Sequence, residues 1–274
     1  MHKPSLISPK GRRHILLPAL LIGLGAVVAF MPTTSCSTQG NDADSLAVDS
    51  LASDSIVSNT FRIAVLPTVE CKPLADALRH GLLDSTDMEV RLDTFLSAMD
   101  ADTAFMRGWV QMMVTDTFRM AYLNTIIKGT TIKSVITDTL HLSMLTTLSS
   151  RIKSTQSLKD KIVAVTRNSA IDRFADRIME RAHLKPEELN RPQINDITLR
   201  ASMLNLAQYD GAILPEPFAT QCEEQGALRI AVMKETQMRV VVKSDVQRRH
   251  SADITKIVDA YWQERNAPPL PIKP

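Results

Sequence analysis

The sequence predicts an α/β protein made of two units, each a mostly parallel sheet with helices on both faces. Short, continuous apolar runs alternate with stretches whose apolar residues recur at helical spacing, the pattern of parallel strands buried on both sides. The alternation halts over 143–157 and then starts again, so 61–145 plus 236–267 reads as one lobe and 146–235 as the other. A chain that crosses twice between lobes leaves a cleft, where small-molecule sites tend to lie. Periodicity alone leaves one continuous doubly wound sheet open as the alternative.

The first 35 residues stand apart. Lys3, Lys10, Arg12 and Arg13 precede an unbroken apolar run over 15–30, and the segment holds no acid. A basic start, a short apolar run and a small-residue exit describe a secretory leader. The run is short for a bilayer crossing and contains the helix-weakening residues Pro18, Gly23 and Gly25. Its exit, Thr34-Ser35-Cys36, resembles the bacterial lipoprotein box, with Thr33 where Leu is usual. That resemblance implies a signal peptide over 1–35 and lipidation of Cys36, so the membrane is held through acyl chains. Residues 36–60, rich in Ser, Asp, Thr and Ala, read as a flexible tether. Loss of the leader removes four cations and no acid, moving the formal charge from +2 to −2. The basic balance of the whole chain is therefore no nucleic-acid footprint.

The elements follow in order. Residues 61–66 form a short apolar strand ended by Pro67. Leu74, Ala77, Leu78 and Leu82 mark a helix face that stops near Gly81. Residues 89–95 alternate as a strand, and Ala98, Ala101, Ala104 and Phe105 predict a helix ending near Gly108. Strands over 110–114 and 132–136 flank a helix over 116–127. The second cycle opens on a strand over 161–165, with Asn168-Ser169 capping a helix whose face is Ile171, Phe174, Ala175, Ile178, Met179 and Ala182. Pro186 begins a helical turn with Glu187 and Glu188 at its positive end. A polar strand near 193–195, a helix over 198–207, a strand over 209–214, a helix over 217–225 and a strand over 228–232 complete that cycle. The chain leaves near 234–237 for a strand over 238–242. A final helix carries Ile254, Ile257, Val258, Tyr261 and Trp262 on one broad face, and a Pro-rich tail occupies 268–274.

Four stretches, 62–69, 98–119, 158–172 and 210–226, together resemble the extracytoplasmic substrate-binding proteins of ABC importers, in the type 2 periplasmic-binding fold. The most telling piece is Leu158-Lys159-Asp160-Lys161-Ile162 running into Asn168-Ser169, followed by the Asp210-Gly211-Ala212-Ile213-Leu214-Pro215-Glu216-Pro217 segment. These resemble "LxGK…NS" and "DAAxxxEP" of the nitrate/taurine/thiamine-precursor-like branch, with Asp160 in place of Gly and Gly211 in place of Ala. The resemblance spans 61–265. It implies two lobes with the ligand cleft between them and both ends of the folded part in lobe one.

It also implies ligand positions on the strand-to-helix loops facing the cleft. Carried over, these are Thr68, Val69 and Glu70 after the first strand, and Asp100 at the opening of the second helix. Thr115 and Asp116 close the third strand, with Arg119 one turn on. Asn168 and Ser169 begin the first helix of lobe two, where free backbone donors and a positive helix end suit a carboxylate, sulfonate or phosphate. Glu216 follows the 210–215 strand. Each has a plainer reading: Asp100, Asp116 and Ser169 as helix caps, Thr68 as a turn residue, Arg119 as a surface cation or a partner of Asp116. Arg200 is read as facing solvent.

Other residue types add little. Cys71 and Cys222 fit buried thiols better than a disulfide, and neither has a neighbour at metal-ligand spacing. His80, His141, His183 and His250 lack paired ligands, and no nucleophile–base arrangement emerges from spacing. No metal and no cofactor is expected. Aromatic residues make up 4% of the chain, which favours a small polar or anionic solute over a large stacked ring. The expectation is a monomeric, non-enzymatic solute-binding lipoprotein that serves an ABC permease in the membrane. The alternatives are an interaction module that keeps the fold without transport, and a thiamine-pyrimidine or menaquinone-pathway-like enzyme.

Overall fold

The computed structural model describes residues 59–233 and 237–268. The signal peptide, Cys36 and all but the last two tether residues lie outside them, as do 234–236 and tail residues 269–274. Within the described residues the strand–helix alternation is realised. Thr60–Val65 (β1), Lys72–Arg79 (α1), Glu89–Thr94 (β2), Ala98–Arg107 (α2), Met112–Asp116 (β3), Thr117–Ile126 (α3) and Ile132–Thr139 (β4) come first. Leu142–Thr146 (β5), Lys161–Ala164 (β6), Ala170–Arg181 (α4), Leu189–Asn190 (β7), Ile197–Asn205 (α5), Gly211–Pro215 (β8), Phe218–Glu224 (α6) and Leu228–Met233 (β9) follow. Gln237–Lys243 (β10), Ser244–Arg249 (α7) and Ser251–Arg265 (α8) end the fold.

Two five-stranded sheets result, ordered β2-β1-β3-β10-β4 and β7-β6-β8-β5-β9. In the first, β1 runs parallel to β2 and β3, while β10 is antiparallel to both β3 and β4. The second repeats the plan: β6 is parallel to β7 and β8, and β5 is antiparallel to β8 and β9. The antiparallel strands β5 and β10 are the ones that follow a crossing between sheets. A strand fed directly from the other sheet has no helical crossover to turn it around, so it runs against its neighbours. A single continuous sheet is thereby excluded.

The first crossing lies at Leu140–His141, earlier than the 143–157 expected, because 142–146 is a strand of the second sheet and not the end of lobe one. All five β5 residues are buried, including Ser143 and Thr146. Ser143 accepts a bond from Arg229 at 2.7 Å, and Thr146 donates to the Ile152 carbonyl at 2.9 Å. Polar side chains satisfied inside a core blur the apolar run that marks a buried strand. The polar strand expected at 193–195 reduces to one bridge between Gln193 and Val165, and the edge strand is Leu189–Asn190.

Each sheet is covered on both faces. Ile63 joins Phe61, Leu74, Ile257 and Tyr261 on one face of the first sheet, while Ala64 joins Phe105, Met113 and Leu123 on the other. Ile213 packs with Phe174 and Ile178, and Leu214 with Leu204 and Ala219. This period-two alternation under helices on both sides is what a buried parallel sheet requires. Cys71 and Cys222 are free, buried thiols in different clusters, and burial pushes Cys71 up to about 11.

Both departures from the motif have a local reason. Asp160 adopts the left-handed conformation with φ 59°, which Gly takes freely and Asp tolerates better than most residues. A Cβ on Gly211 would stand 2.8 Å from the Leu145 carbonyl oxygen and from Cε of Met144. Alanine there would force β5 and β8 apart.

Candidate functional site

The segments after β1, β3, β6 and β7, with Pro215 at the end of β8, line a cavity of about 70 Å³ between the two sheets. Its apolar wall includes Leu66, Val114, Leu142, Ile197 and Met238, and its polar wall includes Thr68, Glu70, Thr115, Asp116, Arg119, Thr166, Ser169, Asn195 and Arg200.

Arg200 is fully buried. Its Nε donates to the Ile213 carbonyl at 3.1 Å, and Nη1 donates to Thr166 Oγ1 at 2.7 Å and the Ile194 carbonyl at 2.5 Å. Nη2 has no protein partner. Burial pulls its pKa down to about 10, which leaves the guanidinium charged at neutral pH. Arg119 is 4% exposed and pairs with Asp102. Its Nη1 reaches the Arg167 carbonyl at 3.0 Å, while Nε and Asp102 Oδ1 lack partners. Burial lifts Asp102 to about 6 against the pull of Arg119.

Asp116 joins the two lobes. One carboxylate oxygen, Oδ1, accepts from the Phe118 and Arg119 amides of α3 at 2.9 Å and from the Ala170 amide of α4 at 3.0 Å. Burial raises its pKa in spite of these bonds. Glu70, also buried, accepts from the His141 amide at 2.8 Å and meets His141 Nδ1 at 3.0 Å, with Oε2 unpartnered. At another place between the lobes, Ser97 and Asp196 form an isolated antiparallel bridge, and the Ile197 amide donates to the Leu96 carbonyl at 2.9 Å. Among the described residues, no three His, Cys, Asp or Glu side chains converge as a metal-ion ligand set.

Against known families, residues 61–235 match the model of the NlpA lipoproteins. The chain belongs to the NlpA lipoprotein family. This family is one of non-catalytic, solute-binding proteins of ABC importers, lipid-anchored in the cell envelope and facing the periplasm or the outside. No curated protein matches the sequence. Among solved structures, the ligand-binding component of an ABC-type import system from Staphylococcus aureus, with zinc bound, aligns at 15% identity with a TM-score of 0.63, over 75% of this chain and 73% of that one. PhnD1 from Prochlorococcus marinus, in complex with methylphosphonate, aligns at 10% identity and TM-score 0.59, over 74% and 84%. The periplasmic nitrate-binding protein NrtA from Synechocystis aligns at 11% and 0.66, over 76% and 62%. At these identities the likeness carries the fold, the type 2 periplasmic-binding fold, and nothing about the solute.

In this NlpA-family chain, Thr68, Glu70, Thr115, Asp116, Arg119 and Ser169 line this cavity, and Val69, Asp100, Asn168 and Glu216 do not. Val69 is 39% exposed, and its amide donates to the Glu216 carbonyl at 3.1 Å. Ser97, not Asp100, caps α2, which leaves Asp100 exposed in its first turn. Asn168 is exposed in the left-handed region, its amide held by Asp172. The Glu216 carboxylate is engaged within the second lobe by Arg229 at 2.6 Å and by Thr220. Ser169 caps α4 by accepting from Ile171, and it lines the cavity as well. Arg119 is neither a surface cation nor a side-chain partner of Asp116, since its guanidinium pairs with Asp102.

Arg200 faces the cavity and not solvent. The signal was present: Ile197, Arg200, Ala201 and Leu204 fall at i, i+3, i+4 and i+7, and all four are buried. A lone Arg on an apolar stripe marks a buried cation. Thr166, Asn195 and Asp102 carried no comparable signal.

Proposed function

We propose that this chain captures a small polar solute in the cavity between its two sheets and delivers it to an ABC permease. One observation supports the chemistry of that solute. Glu70 Oε2, Thr115 Oγ1, Arg119 Nε and Arg200 Nη2 are buried, belong to cavity-lining residues and have no protein partner. A buried polar atom without a partner costs about 1–3 kcal/mol, and a solute that supplies both acceptors and donors removes that cost. The set pairs guanidinium donors with a carboxylate acceptor, so it fits a small amphoteric solute better than a simple anion. A cavity of about 70 Å³ with apolar walls limits it to a few heavy atoms beside the polar groups.

Delivery follows from attachment. Lipidation at Cys36 and a tether over 36–60 hold the two lobes near the membrane, the first built from 61–139 and 237–267 and the second from about 142–233. Globomycin treatment is expected to accumulate precursor, and Cys36→Ala to move the protein into the soluble fraction; unchanged fractionation in both overturns the anchor. Native mass spectrometry before and after denaturation tests the capture. A co-purified small amphoteric molecule is the expected result. No bound mass, together with no calorimetric response to a panel of such molecules, overturns it.

A further inference from the structure

We propose that Asp116 is a built-in anion: its carboxylate takes the helix-end donors where a solute's acidic group would sit, latches the lobes together and keeps small oxyanions out. The inference rests on the interlobe geometry and not on the identity of the solute. The N-terminus of a twelve-residue helix in the second lobe, α4, is the place the motif assigns to an anionic ligand. There the Ala170 amide is taken by an oxygen of the other lobe, at 3.0 Å, and that same oxygen also caps α3. Two helix N-termini thus converge on one carboxylate. Their positive ends repel each other, and the negative charge between them turns that repulsion into attraction.

The surroundings of the carboxylate are those of an oxyanion site. Thr115 Oγ1 and Arg119 Nε belong to residues at least nine-tenths buried that line the same cavity, and neither atom has a protein partner. Removal of the Asp116 carboxylate frees the Phe118, Arg119 and Ala170 amides that converge on it, and with unpartnered donors on Thr115 and Arg119 of the same cavity wall they make a donor set suited to a tetrahedral oxyanion. Arg119 Nη1, bonded to the Arg167 carbonyl at 3.0 Å, ties the same two helix starts and depends on the same alignment.

The test uses the full chain, denatured and refolded to strip any solute, with hydrogen exchange at the Ile197 amide as readout. That amide bonds the Leu96 carbonyl across the lobes and touches no atom of Asp116. In Asp116→Ala its protection is expected to fall about tenfold or more, the loss of a charged hydrogen bond across the interface. Millimolar sulfate is expected to restore that protection and to release heat on binding the variant, while leaving the wild type unaffected. Wild-type protection in Asp116→Ala, no uptake of sulfate by the variant, or equal uptake by both proteins overturns the proposal. Should Asp116→Ala lose its circular dichroism signature, Asp116→Asn decides, since it keeps one acceptor and removes the charge. It is expected to lose part of the protection, and full wild-type protection overturns the latch. A failure to find a co-purified solute bears on the capture reading and leaves this test untouched.

Discussion

Asp102 pairs with Arg119 beside the cavity, and Glu216 pairs with Arg229 inside the second lobe. The two pairs have the same chemistry and opposite electrostatics. Every oxygen of Glu216 is engaged: Oε1 by Arg229, Oε2 by the amide and hydroxyl of Thr220. Arg229 also reaches Ser143, Thr220 and Glu223. Burial pushes Glu216 up, but these bonds outweigh it and hold the carboxyl below its ordinary range. Asp102 keeps one oxygen without a partner, as Arg119 keeps Nε, and its carboxyl is pushed up to about 6. A saturated pair has no capacity left for a ligand and serves the fold. An under-satisfied one keeps capacity at the cost of stability, which is the mark of a working site.

The largest expected effect comes from breaking the under-satisfied pair on one side. Arg119→Met leaves Asp102 buried without its cation and is expected to cost about 3–5 kcal/mol at neutral pH, read by urea denaturation. Adding Asp102→Asn should recover at least half of that loss. Strict additivity of the two changes would show that the pair is not coupled.

Acid separates the pairs by sign. Asp102 has a raised folded pKa, about 6 against 3.8, so its contribution to stability is fully present below the lower value and lost as pH rises through the upper. Relative to Asp102→Asn, the wild type is expected to gain up to about 3 kcal/mol between about pH 7 and about pH 4. Glu216 has a depressed folded pKa, so its contribution is present above the ordinary carboxylate range and lost as pH falls through the folded value. Melting curves of each variant against wild type should slope in opposite directions, for Asp102 between about pH 7 and about pH 4 and for Glu216 from the ordinary carboxylate range downwards. Parallel slopes would erase the distinction between the pairs.

At neutral pH, Glu216→Gln is expected to lower stability by about 1 kcal/mol, since water screens a partly exposed pair. Solute affinity by titration calorimetry should stay within about twofold of wild type. A tenfold loss of affinity would move Glu216 back into the ligand shell. The smallest effect belongs to Asp100→Ala, at an exposed first-turn position of α2, where stability should change by no more than about 0.5 kcal/mol and affinity not at all.

What the sequence determined by itself is local in origin. Strand and helix periods are written by which neighbours along the chain are apolar, so β1, α2, β3, α3, α4 and α8 were legible within a few residues, as were the caps at Asp116 and Ser169. Through the family they resemble, the ordered motifs around Lys161, Ser169 and Glu216 implied a two-lobed fold and ten ligand positions, six of which line its cavity. The tertiary structure decided the rest, because a polar group's role depends on what burial and distant partners do to it. Ser143 and Thr146 look like loop residues until Arg229 and the Ile152 carbonyl satisfy them inside a strand. Arg200 looks solvated until three acceptors from other parts of the chain fix it in the core. Asp116 reads as a cap of its own helix, and only the docking of the second lobe sets the Ala170 amide against the same oxygen.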